Sequence, residues 1–270
     1  MKWLDRQRIR YTLSHHPIPR EAWETLMREV EIFNGLNAVE RAHLRELTIL
    51  FLHRKTLSGV QGLNLSPEMA LSVAAQACLL ILKLGLGYYA SWVEVVIYPA
   101  AFRVTRDSTD AMGLVSHEQQ ALGGESWLRG PVILSWDGVV SGLSASRPGH
   151  NVVMHEFAHK LDMLNGSANG LPPLHSDMVR ERWTAVFVDA FEHLLQQLAH
   201  DHHPAIDPYG ATDPAEFFAV ASEYFFTAPR LLHHYYPAVY DQLTLFYRQD
   251  PATRRAETST ENQSKERRSL

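Results

Sequence analysis

Apolar residues along this chain follow two kinds of spacing, and the change from one to the other sets the expected architecture. From Arg20 to Phe33 the positions Trp23, Leu26, Met27, Val30 and Phe33 recur at helical spacing. Asn37 with Glu40 has the form of a capping box and opens a second helix through Leu44, Leu47, Leu50 and Phe51. Gly59 to Asn64 reads as a loop. Ser66 followed by Pro67 starts another helix, predicted to run to about Leu84 and to stop at Gly85-Leu86-Gly87. The character then changes. Trp92 to Tyr98 (WVEVVIY) is rich in β-branched and aromatic residues and ends at Pro99, which predicts a strand; Pro131 to Trp136 (PVILSW) predicts a second. Asp107 to Gly130 and Asp137 to Gly149 read as loop-rich, with room for strands inside them. Helices return over Asn151 to Leu164, Asp177 to Ala199 and Asp213 to Phe226, with one or two more between Ala228 and Tyr247. No internal repeat is visible.

Composition narrows the class. Of 270 residues, 46% are hydrophobic and 20% charged, enough to bury a real core. The net charge of -5 gives no clustered basic surface for a nucleic-acid backbone, so no direct nucleic-acid partner is expected. The lone cysteine, Cys78, rules out an internal disulfide and suits a reducing compartment. The first residues, Met1 to Arg6, lack a following apolar segment and do not read as a secretion signal. The most apolar stretch, between Glu68 and Lys83, is broken by Ser72 and Gln76; a buried helix is expected there rather than a membrane span. The expected location is the cytoplasm.

The chemistry concentrates in His155-Glu156-Phe157-Ala158-His159. Positions four apart share a helical face, so both imidazoles can reach one metal ion while Glu156 takes a proton from the attacking water. A catalytic zinc usually has three protein ligands. The pattern HExxHxxGxxH is excluded, because positions 162 and 165 are Asp162 and Asn165. A glutamate from a later helix is the alternative. Glu216 lies in the first turn of the helix capped by Asp213-Pro214; there it either binds metal or merely favours the helix dipole. Glu223, two turns on, either competes for that role, supports a ligand imidazole from behind, or forms a surface pair.

The segments HEFAHKLD, Tyr209 and DPAEFFAVASEYFF, with WVEVVIYPAAF, GESWLRGPVILSWD and LFYRQDP, resemble the Mlc titration factor family of bacterial zinc peptidases over roughly residues 20 to 251. That family is in turn similar to the catalytic domain of anthrax lethal factor. The resemblance implies one zinc per chain held by His155, His159 and Glu216, with Glu156 as catalytic base. It also implies a cytosolic aminopeptidase that acts on peptides and binds the glucose-responsive repressor Mlc. The spacing of Tyr209 to Glu216 is similar to that in the lethal factor domain, where the tyrosine assists catalysis; the alternative for Tyr209 is packing that anchors its loop.

The expected fold is therefore α+β and zincin-like, of the gluzincin type. Residues 1–90 form a helical N-terminal subdomain, 91–251 the metallopeptidase domain with a small sheet, and 252–270 a disordered tail. Pro131 to Trp136 is expected to form the sheet edge above the metal, where extended peptide adds as a strand. Asp162, three residues after His159, either orients that imidazole or sits exposed at a helix end. His200, His202 and His203, like His15-His16 and His233-His234, read as solvated residues rather than a second metal site. Cys78 and Tyr224-Phe225-Phe226 read as core.

Overall fold

The computed structural model describes residues 3–100, 102–109, 115–122, 130–143 and 147–254. Helices α1 (Trp3–His15), α2 (Arg20–Glu29) and α3 (Ala38–Arg54) precede strand β1 (Thr56–Gly59) and helix α4 (Pro67–Leu80). Strands β2 (Glu94–Tyr98), β3 (Phe102–Thr109), β4 (Val115–Leu122) and β5 (Val132–Ser135) follow. The remainder is helical: α5 (Trp136–Gly142), α6 (Val152–Asp162), α7 (Arg180–Ala199), α8 (Pro214–Thr227), α9 (Pro229–Tyr235) and α10 (Pro237–Tyr247). The class is α+β, with a parallel sheet in the order β1-β2-β5 and a separate antiparallel pair, β3 with β4. Among the described residues no helix is long and apolar enough to cross a membrane.

The helix starts follow local chemistry. Asn37 Oδ1 accepts from Glu40 N at 2.9 Å, and Glu40 Oε2 accepts in return from Asn37 N at 3.2 Å. Ser66 Oγ accepts from Met69 N, with Pro67 supplying the preset first turn. Asp213 caps α8 through Ala215 N and Glu216 N. Each cap is where the sequence predicts it.

Three elements differ from expectation. Strand β1 lies at the end of the first helical stretch, ahead of the expected loop. It is four residues of TLSG, held in place by its ladder to β2, from Thr56 opposite Glu94 to Gly59 opposite Ile97. Partners nearly forty residues away make that strand, so no local period announces it. The second strand ends at Ser135, and Trp136 instead begins α5, in a segment expected to be loop. Two glycines weaken its helix propensity, but one is needed: a Cβ on Gly142 would come within 3.0 Å of Asn151 Cα. Helix α4 closes at Leu80, and the chain reaches Gly85 through turns.

One buried apolar cluster extends from Ile18 to Tyr247. At its centre Phe51 of α3, Tyr89 and Trp92 ahead of β2, and Phe157 of α6 pack ring to ring, with centroids 5.2–6.2 Å apart. Lys55 reinforces this joint: Nζ donates to the carbonyls of Tyr89 and Trp92 and lies 3.9 Å over the Trp92 ring. Burial pushes its ammonium down to about 8. Cys78 and Tyr224-Phe225-Phe226 are buried, as expected for core. The tail from residue 255 lies outside the described residues.

Strand β5 occupies an edge of the described sheet, as expected, and packs against α6. Lys160 Nζ, on α6, donates to Gly130 O at 2.9 Å and ties that helix to the approach to β5. The opposite end of α6 is braced by Asn151. Its Oδ1 accepts from Met154 N at 2.9 Å, and its Nδ2 donates to Gln76 Oε1 of α4 at 2.8 Å. Replacing Asn151 by Ala removes the cap and leaves the Gln76 carbonyl without this donor inside the core. The expected cost is about 2–4 kcal/mol, measurable by chemical denaturation.

Candidate metal centre

Helix α6 carries His155 and His159 on one face and Phe157 and Ala158 fully buried on the other. Helix α8 crosses against it and supplies Glu216 and Glu223. His155 Nε2 lies 3.0 Å from Glu216 Oε2, His159 Nε2 lies 3.4 Å from that oxygen, and the two Nε2 atoms are 3.2 Å apart. The two rings stand nearly perpendicular, at 77°.

The second nitrogen of His155 is committed elsewhere. Its Nδ1 donates to Glu223 Oε1 at 2.8 Å, and Glu223 Oε2 accepts from Asn151 N at 2.5 Å. One buried carboxylate thus fixes both the imidazole and the start of the helix that bears it. Glu223 is neither a surface pair nor one of the three converging donors. With Nδ1–H engaged, Nε2 is the atom left to face Glu216 and His159.

These donors call for positive charge. Burial opposes charge on His155, yet the Glu216 and Glu223 carboxylates that face its two nitrogens, with Glu156 nearby, hold its pKa well above the ordinary value. Glu216 is likewise opposed by burial, but the two imidazoles bring it down to about 2. A tetrahedral zinc with bonds near 2.0–2.1 Å separates its ligand atoms by about 3.3 Å. The observed separations of 3.0, 3.2 and 3.4 Å match that edge, and imidazole and carboxylate are suitable zinc donors. The spacing and chemistry of the three donors therefore fit a divalent metal.

Glu156 is buried beside them, and its Oε2 has no hydrogen-bond partner among the described residues. Burial raises its pKa, while both imidazoles pull the other way.

The sequence matches the family of glucose-regulated metallo-peptidases, M90, over residues 1–248. The chain belongs to this family. A Mlc titration factor A of Klebsiella pneumoniae subsp. pneumoniae is 38% identical to this chain over 248 residues, covering 91% of this chain and 92% of its own length. One from Salmonella arizonae is 40% identical over 228 residues, 83% of this chain and 90% of its own length. An uncharacterized protein of Synechocystis sp. is 36% identical over 251 residues, 92% of this chain and 90% of its own length.

Tyr209 sits on a turn (Pro208–Ala211) just before α8, 52% exposed, with its ring centroid 5.9 Å from that of His155. Burial of part of the ring and the charges of Glu216 and Glu156 push its phenol up to about 12, so it keeps its proton. Asp162 corrects both expectations. It is fully buried rather than exposed, and its Oδ2 accepts from Asn169 N at 2.8 Å and Gly170 N at 2.7 Å. His159 Nδ1 has no partner among the described residues, so Asp162 shapes the following loop rather than holding the imidazole. His200, His202 and His203 are exposed, as are His15, His16, His233 and His234. Among the described residues His155, His159 and Glu216 are the only group arranged to hold a metal.

Two supports escaped the sequence reading. Gln76 braces the N-cap of α6; its signal was a polar side chain in an otherwise apolar helix. Lys160 follows the motif directly, and nothing in its neighbours marks it as buried.

The two glutamates of α8 should differ in measurable ways. Glu223→Ala leaves the three converging donors in place but frees the His155 ring and uncovers Asn151 N. Metal affinity, read by chelator competition, is expected to fall roughly 10- to 100-fold. Glu216→Ala removes a converging donor and should leave the purified protein nearly metal-free. Full metal content in Glu216→Ala, with loss in Glu223→Ala, would reverse the two roles.

Proposed function

We propose that this chain is a zinc-dependent peptidase with a zincin-like fold, acting as an aminopeptidase. His155, His159 and Glu216 hold one zinc ion, and Glu156 is the general base. The observation that carries this reading is the convergence of three donor atoms 3.0–3.4 Å apart beside a buried carboxylate with an unpartnered oxygen. Membership of a metallo-peptidase family supports it.

A zinc ion at these donors would supply Lewis acidity toward the scissile carbonyl and the attacking water. The protein's own groups do the rest. Glu156 Oε2 accepts a proton from water as the water oxygen bonds to the carbonyl carbon. The same oxygen then delivers that proton to the amine nitrogen as the C–N bond breaks. Tyr209, still protonated at neutral pH, donates a hydrogen bond to the carbonyl oxygen as negative charge develops there. The edge position of β5 in the described sheet would let its backbone groups meet an extended peptide. A cytoplasmic location agrees with a single, buried thiol.

A second role is supported by the name of the relatives, Mlc titration factor A. We propose that the chain also binds a Mlc-like transcriptional repressor; in the alternative form of this reading, sequestering the repressor is its main task and catalysis is secondary.

Glu156→Gln separates these readings. It is expected to keep its zinc and to lose hydrolysis by roughly 10²-fold or more, while still binding repressor in a pull-down with purified Mlc-like protein. Full peptidase activity in that variant would sink the mechanism. Tyr209→Phe keeps the ring and removes the hydroxyl; kcat is expected to fall roughly 10- to 10³-fold at similar KM and unchanged zinc content. An unchanged kcat would leave Tyr209 as a loop anchor only.

A further inference from the structure

A cavity of about 230 Å³ opens between the first half of α7 and the first turn of α8. Trp183, Phe187, Phe191 and Phe217 supply most of its wall, with Leu171 and the half-exposed Val188. The aromatic part is preassembled: Trp183 stacks on Phe187 at 4.2 Å and 12°, and Phe217 meets Phe187 and Phe191 edge-on. None of His155, Glu156, His159 or Glu216 lines it, so it is separate from the metal centre.

Polar groups in the wall are largely committed. Trp183 Nε1 donates to Gly170 O at 2.9 Å, and Asn169 Oδ1 accepts from Leu171 N at 3.0 Å. Arg180 is the one charged residue in the lining. It is exposed and pairs with no carboxylate among the described residues. The volume lies below the roughly 300–1,000 Å³ of sites for larger ligands. A single ring or branched chain is the size of group that such a cavity holds. Aromatic walls favour an apolar body, and the lone guanidinium favours an anionic head.

We propose that this cavity binds a small free carboxylic acid, with one aromatic or branched aliphatic group between the aromatic rings and its carboxylate on Arg180. The floor connects this site to the metal centre. Gly170 passes so close to α8 that a Cβ there would lie 2.5 Å from Pro214 O. Its carbonyl is held by Trp183, and its amide by Asp162, one helical turn beyond His159. An occupant therefore rests on the loop clamped between the two helices that carry the converging donors, without competing for them.

The test uses the metal-loaded full chain, titrated calorimetrically with 3-phenylpropionic acid and with its uncharged amide. One acid per chain is expected, with a dissociation constant on the order of 0.1–1 mM, and the amide should bind roughly tenfold more weakly. Arg180→Gln, a surface change, should weaken the acid by a similar factor and leave the amide unaffected. Val188→Trp, at a half-exposed position, should fill the cavity and abolish binding of both while metal content and thermal unfolding stay at wild-type levels. Equal binding of acid and amide, or an acid affinity indifferent to Arg180→Gln, would overturn the proposal. So would absence of saturable binding at millimolar acid. Clearly tighter binding of a tripeptide ending in phenylalanine than of the free acid would reassign the cavity to a peptide terminus and overturn it as stated.

Discussion

Helices α6 and α8 bring imidazoles and carboxylates together where little water reaches, and each of those groups is costly to bury unless another answers it. The Glu223 carboxylate is the pivot. One oxygen takes the His155 Nδ1 proton and the other takes the Asn151 amide, so the orientation of the ring and the start of the helix are set by a single side chain. Because Asn151 is also tied to Gln76 on α4, the N-terminal helices share in positioning the site. At the other end of α6, Lys160 reaches Gly130 and fixes the helix against the approach to the edge strand. The spacing of the converging donors is thus a property of the whole packed core rather than of the five-residue motif alone.

Much of this was legible because it is short-range. An i, i+4 pair of histidines states its own geometry once the segment is helical. The caps at Asn37, Ser66 and Asp213 depend on residues two or three positions away, and they formed where expected. What the sequence left open depends on distant partners. Glu216 and Glu223 lie on one helix with similar credentials. What separates them is which nitrogen of His155 each one meets, 61 or 68 residues back in the chain. Asp162 offered two readings, and its actual role depends on a loop that returns beneath it at Asn169 and Gly170.

The missed elements share that cause. TLSG has no period to recognise, and becomes a strand because β2 supplies its hydrogen bonds. The glycines of α5 look like loop residues in one dimension. In three, Gly142 is the residue small enough to let that helix lie against the start of α6. Local rules predict where elements begin; they do not register how closely two backbones approach.

The donor chemistry has a consequence for how such a centre ages. Two imidazoles and a carboxylate contain no sulfur, and the chain's one thiol, Cys78, is sealed in α4, where burial pushes it toward the neutral, unreactive form. Peroxides and thiol-directed reagents therefore have no ligand to attack at the converging donors and little access to sulfur in the core behind them. Oxidation of the kind that strips thiolate-ligated metal sites would find no ligand sulfur among these three residues.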